Sequence, residues 1–234
     1  TRSETESETR GIGAARRWIS AEFVSISNNC GGCLEVSFQR SIAPGQPGTR
    51  IPVDTEIVNV VAVIRGTTDP NRYVIMSGDI DNRVSDPNNY TDDSPGANDN
   101  ASGMAGTIEA ARVLSRYAKT FHASIVLVGL SGEETGLLGG AHMAALGRNQ
   151  GWNIEAVLNN DMIGNIEGVD GVIQNNAFRV FSEPTPVTET AQERQARRLA
   201  GGEVDGVSRQ LARYVARIAD QYIPNLDAKM IYRL

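Results

Sequence analysis

An α/β fold is what this 234-residue chain predicts, and three observations carry that expectation. Short apolar, β-branched runs recur at residues 59–64, 73–76, 124–130 and 156–160, each of strand length and apolar enough to be buried. Between them lie segments whose apolar residues return at helical spacing. Acidic residues then follow the runs: Asp79 and Asp81, Glu133 and Glu134, and Asp161. Ligands of open α/β sheets bind beyond the carboxyl ends of the strands, so these acids are expected to meet in one crevice. Carboxylates gathered in one place need a cation to balance them.

The elements follow in order. Residues 1–10 are polar, and from Ile12 the series Ile12, Ala15, Ile19, Phe23 predicts an amphipathic helix. Cys30-Gly31-Gly32-Cys33 is the only cysteine pair, which excludes a four-cysteine zinc site. Its Gly-Gly turn favours a structural disulfide over a redox pair, and so an oxidising, secreted or periplasmic setting. Residues 38–51 read as a strand and then a loop rich in Pro and Gly. The run at 59–64 is a core strand, 66–72 a turn, and 73–76 the strand that delivers Asp79.

Residues 82–98 predict a polar loop over the site, with Asp86, Asp92 and Asp93 solvated and Arg83 at the surface ahead of a contact with the clustered carboxylates or a substrate. Asp99 follows in the small-residue stretch Gly96-Ala97-Asn98-Asp99-Asn100-Ala101-Ser102-Gly103. Met104, Ile108, Ala111 and Leu114 then give a helix, for which Ser102 and Asn100 are the candidate N-caps. Beyond Glu134, Leu137, Leu138, Ala141 and Ala145 give another helix, with Gly139-Gly140 letting it lie close to the sheet. The strand at Val157 delivers Asp161, and Gly164 turns the chain. Residues 176–206 hold Phe178, Val180, Phe181, Pro184 and Pro186 and then a charged segment. Val207, Leu211, Val215, Ile218 and Tyr222 mark a last amphipathic helix stopped by Pro224, and Met230-Ile231-Tyr232 starts a strand.

Composition narrows the function. Hydrophobic residues make up 40% and charged residues 21%, as in ordinary globular chains. A net charge of -6 offers no basic patch to nucleic acid. No apolar run approaches the roughly 18 residues of a membrane span, and no signal peptide is visible in the polar, acidic stretch that Thr1 opens, which leaves room for an earlier one already removed. One domain over residues 1–234 is the expectation.

Asp99 in GANDNASG, Glu133-Glu134 in SGEETGLLGG and Asp161 in NNDMIGN, in that order, resemble the M28 family of zinc-dependent exopeptidases from residue 59 onwards. The resemblance implies a three-layer α/β/α fold around a mixed, mostly parallel sheet, and two metal ions. Asp99 would bridge them, Glu134 and Asp161 would bind one each, and Glu133 would be the general base. The substrate would be the N-terminus of a peptide or protein.

Two departures stand out. The family's His-x-Asp motif is Asp79-Ile80-Asp81 here, so a carboxylate replaces the metal-binding imidazole, with Asp81 in the supporting place. The chain also ends at Leu234 short of the family's final metal-binding His. His122 and His142 match neither position and read as structural or surface groups. A set of Asp79, Asp99, Glu134 and Asp161 offers oxygen only, a chemistry that suits Mn, Mg or Ca as well as zinc at the Asp79 position. A metallo-aminopeptidase is therefore expected. A non-catalytic peptide- or partner-binding relative, and a single-metal glutaminyl cyclase-like enzyme, stay open beside it.

Overall fold

The computed structural model describes residues 7–86, 88–89, 92–183, 189–201 and 206–232. Two compact units divide the chain, residues 1–164 and 165–234. Pro184 and Pro186 lie outside the described residues.

The first unit is built on a five-stranded sheet of β1 (Glu35–Ala43), β2 (Thr55–Ile64), β3 (Asp69–Asp79), β4 (Ala123–Leu130) and β5 (Asn153–Asn159), in the order β1-β2-β4-β3-β5. It is mixed, as expected, but parallel pairing is confined to β4, β3 and β5. β1 runs antiparallel to β2 because the loop at 44–54 carries no crossover helix. The turn at 65–68 reverses the chain into β3, and β4 inserts between the two, parallel to β3 and antiparallel to β2.

Helices cover both faces. In β2, Val60, Ala62 and Ile64 point to one side and Val61 to the other, the two-residue period of a strand. The first set packs with Leu127 against Ile19, Phe23 and Ile26 of α1 (Gly11–Asn29) and Met104, Ile108 and Ala111 of α2 (Gly103–Leu114). Val61 joins Tyr73, Ile75, Val126 and Val128 around Met143 of α3 (Leu138–Gln150). The three-layer α/β/α arrangement follows from this double burial.

α3 presents a different face from the one its leucines suggest. Gly139, Met143 and Gly147 are its buried residues, and Leu137 is exposed. The reason is close approach: a Cβ on Gly139 would lie 2.2 Å from Asn59 Oδ1. Asn59 itself is buried in β2. Its amide donates to Gly139 O at 2.9 Å and Gln39 Oε1 at 2.8 Å, and its Oδ1 accepts from Ser131 N at 3.0 Å. One buried side chain thus satisfies the start of α3 and the exit of β4.

Cys30 and Cys33 are joined by a disulfide just after α1. Beside it the Ser27 hydroxyl donates to Leu34 O at 2.8 Å and accepts from Leu34 N at 3.2 Å, so the same turn is also pinned by hydrogen bonds.

The second unit holds a separate parallel pair, β6 (Ala177–Ser182) and β7 (Asp227–Tyr232), with α4 (Ala191–Leu199) and α5 (Val207–Tyr222). α4 opens on a capping box of Thr190 and Glu193. Buried Arg209 of α5 donates to Ser182 O at 2.6 Å and lies over the Tyr232 ring at 4.4 Å, tying the helix to both strands. No helix among the described residues is long and apolar enough to cross a membrane.

Replacing Asn59 with Ala strips partners from the buried Ser131 N and Gly139 O, and should cost about 2–4 kcal/mol of unfolding free energy, read by urea denaturation.

Candidate metal centre at the strand ends

Parallel pairing places the acidic motifs at one rim. Asp79 stands opposite Leu130 across the β3–β4 register, and Ser77 stands opposite Asn159 across β3–β5. The segments that leave these strands, carrying Asp79 and Asp81, Glu133 and Glu134, and Asp161, therefore emerge side by side. Asp99 arrives from the connection between β3 and α2, in a widened helical turn at Ala97–Ser102 that departs from helical geometry at Asp99 and Asn100.

Asn100, expected only as a helix cap, is the buried tie of the site. Its amide donates to Asp79 Oδ2 at 2.9 Å and to Asn160 O at 2.9 Å. Its Oδ1 accepts from Gly103 N at 3.1 Å and from Met162 N at 3.2 Å. The cap at Gly103 is real, but the same side chain joins the ends of β3 and β5 to the start of α2. A Cβ on Gly103 would lie 2.3 Å from both Asn100 Oδ1 and Asn160 O, which is why a glycine opens the helix. Asn98 repeats the device, accepting from Gly164 N at 3.0 Å.

Asp81 holds the opposite wall. Its two carboxylate oxygens accept from Glu133 N at 3.1 Å and Glu134 N at 3.2 Å. Glu134 is gripped twice more: Arg83 Nε donates to its Oε2 at 2.6 Å, and an Arg50 guanidinium nitrogen donates to its main-chain oxygen at 2.9 Å. Arg83 thus makes the contact with the carboxylates that ranked below a plain surface role in the sequence. Asn82, next to it, donates to Ser94 O at 2.9 Å and closes the loop back on itself.

Electrostatics joins the carboxylates. Burial first, and then the charges of Asp81, Asp161 and Asp99, push the Asp79 carboxyl up to about 6, against the lowering effect of the Asn100 bond. Burial, and then the charges of Asp79, Glu134, Asp81 and Asp161, push Glu133 up to about 7. Burial raises Asp81 as well, opposed by the amides that point at it. All six carboxylates therefore share one field. Asp99 and Asp161 are exposed, Asp79 is buried, and Glu133 and Glu134 lie between.

Oxygen-rich, mutually repelling and short of positive charge, the cluster fits a divalent cation in charge and donor chemistry. Among the described residues, however, no three His, Cys, Asp or Glu side chains are grouped so as to hold an ion as they stand. Glu134 is turned to Arg83. His122 is bonded to Thr68 at 2.8 Å, the structural part expected of it.

Residues 59–201 match the model of peptidase family M28. A relative from Leptosphaeria maculans named as a probable zinc metalloprotease is 38% identical over 234 residues, covering 100% of this chain and 53% of the relative. The chain spans about half the length of the curated relatives it matches. Among solved structures, the LapA aminopeptidase of Legionella pneumophila superposes with a TM-score of 0.60 at 21% identity, over 93% of this chain and 47% of that one. A glutaminyl cyclase of Porphyromonas gingivalis superposes with a TM-score of 0.57 at 21% identity, over 94% and 66%. Both likenesses are of fold. With the family match covering more than half of its length, the chain belongs to peptidase family M28.

Proposed function

We propose that this chain carries the catalytic core of a zinc-dependent aminopeptidase. The observation that supports it most is the gathering of carboxylates at the strand ends, where Asp81 accepts from the main-chain amides of Glu133 and Glu134 and burial and neighbouring charge push the Glu133 carboxyl up. A general base works best with a pKa near the working pH. Asp79, Asp99, Glu134 and Asp161 are the residues proposed to hold two ions, with zinc suggested by the names of the relatives. The carboxylate at position 79 lowers the preference for zinc there and admits Mn, Mg or Ca.

Bound ions of this kind supply Lewis-acid polarisation and a water of lowered pKa. The chain's own groups do the rest. Glu133 takes the proton of the attacking water and passes it to the departing amine. Asp81 keeps the Glu133 and Glu134 amides in place, so the base keeps its position. Asn100 keeps Asp79 aimed by one bond while its other three hold the surrounding loops. Carboxylate in excess at the rim attracts the ammonium group of a peptide N-terminus, which favours removal of single residues from that end. The Cys30–Cys33 disulfide supports an oxidising, secreted or periplasmic setting for the proposed enzyme.

Hydrolysis of aminoacyl chromogenic substrates, with chelator and with zinc or manganese restored, tests the reading. Glu133→Gln should lower the rate about 10²- to 10⁴-fold while the metal content stays unchanged. Equal rates with and without chelator would overturn the assignment, and cyclisation of N-terminal Gln peptides in its place would move it to acyl transfer.

The same carboxyls make the metal-free protein pH-sensitive. Asp79 titrates near 6 when folded and near the usual ~3.9 when unfolded. The folded state therefore holds the proton more tightly between those values, and this contribution to stability is present at low pH and lost as pH rises through 6. After allowance for solvent screening, the stability gap between wild type and Asp79→Asn should shift by roughly 1–2 kcal/mol from pH 4 to pH 7, in favour of the variant. Thermal unfolding in chelator at the two pH values reads it, and the gap should shrink when zinc is added.

A further inference from the structure

Two residues of one short segment close on Glu134. Asp81 accepts from its main-chain amide at 3.2 Å, and Arg83 donates to its carboxylate at 2.6 Å. The Glu134 side chain is 13% exposed and that of Arg83 is 40% exposed, so the pair sits at the mouth of the cluster with the anion on the buried side. Arg83 is the only Lys or Arg between residues 73 and 111, and it rides on a loop that Asn82 fastens to Ser94. A guanidinium delivered there is a fixed positive charge at the edge of six coupled carboxylates.

We propose that Arg83 is an internal counter-cation: its guanidinium competes with a divalent ion for the Glu134 carboxylate and so sets the affinity of the site. The inference rests on the metal centre described under the proposed function and adds a residue that sets its affinity. A lone pair of oxygens on Glu134 cannot give its best contacts to both cations, and the guanidinium also repels an incoming dication. Both effects have the same sign, and they weaken metal binding. The linkage works in reverse too, since bound metal frees Arg83 to meet an anionic group, such as the carboxylate of a short peptide.

The test measures Zn²⁺ and Mn²⁺ affinity of the purified chain by competition with a chromophoric chelator. Arg83→Gln should bind about three- to tenfold more tightly than wild type, the range expected for a partly exposed ion pair plus its repulsion. Rising ionic strength should narrow that difference, because the field being removed is screened. Arg83→Lys should stay near wild type. Arg65→Gln should leave affinity unchanged, because Arg65 meets Glu35 at the opposite rim of the sheet. Circular dichroism confirms that each variant is folded. Equal affinities of wild type and Arg83→Gln, or weaker binding by the variant, would overturn the counter-cation while leaving the metal centre intact. Absence of metal binding by both proteins would overturn the metal centre and the counter-cation together.

Discussion

Like charges brought together by a parallel sheet are the constraint around which the first unit is arranged. Three strands that run the same way must release their chains at one rim, and here each release carries carboxylates. Two unit charges about 4 Å apart repel by roughly 4 kcal/mol at the effective dielectric of a protein surface. Free chains would swing such groups apart. What prevents it is a small set of neutral and positive donors: the Asn100 amide on Asp79, the Glu133 and Glu134 amides on Asp81, and the Arg83 guanidinium on Glu134. Burial first, and the residual repulsion after it, keep the carboxyls of Asp79 and Glu133 raised.

The donors are not interchangeable. A buried carboxamide such as Asn100 carries two N–H groups and an oxygen acceptor, so it can serve a carboxylate and three main-chain groups at once without adding charge. A lysine in its place would neutralise Asp79 and remove the incentive to bind a cation. An alanine would leave Gly103 N and Met162 N without their partner. Asn59 follows the same logic one layer below, within the sheet. Fold and site share a single device, in which buried asparagines join strand exits to helix starts.

Much of this was legible in the chain. Strands at 59–64, 73–76 and 124–130 announce themselves because burial on both faces demands unbroken apolar runs, and a residue such as Val61 must be as apolar as Val60, whereas the run at 156–160, expected to be buried as well, forms an edge strand with Val157 exposed. The acids at their ends were legible for the same reason: a run that stops at Asp79 or Glu133 stops where the sheet meets solvent. Other features depend on contacts far apart in sequence. Asn100 reads as a cap because its i to i+3 bond is local, whereas its bonds to Asp79, Asn160 and Met162 span between 21 and 62 residues. Arg83 reads as solvated because its loop is polar, and its partner lies 51 positions away. The close approach at Gly139 was legible, but the leucine series pointed to the wrong face of α3, because the neighbour that demands the glycine, Asn59, lies 80 positions away.

Replacing an imidazole by Asp79 changes more than a ligand atom. A neutral nitrogen donor adds nothing to the repulsion at the rim, whereas Asp79 adds a full charge in the most buried position of the six. The fold tolerates that charge through one hydrogen bond and a raised carboxyl. Six carboxylates in one field have more to gain from a dication than a set with an imidazole at position 79, since each bound charge relieves more repulsion, and a carboxylate oxygen at that position is a harder donor than an imidazole nitrogen. Strong attraction with weak selectivity needs a brake, or the first abundant divalent ion would occupy the site. Under the counter-cation proposal, the guanidinium seated on Glu134 is such a brake, holding the carboxylate by charge and by a 2.6 Å hydrogen bond.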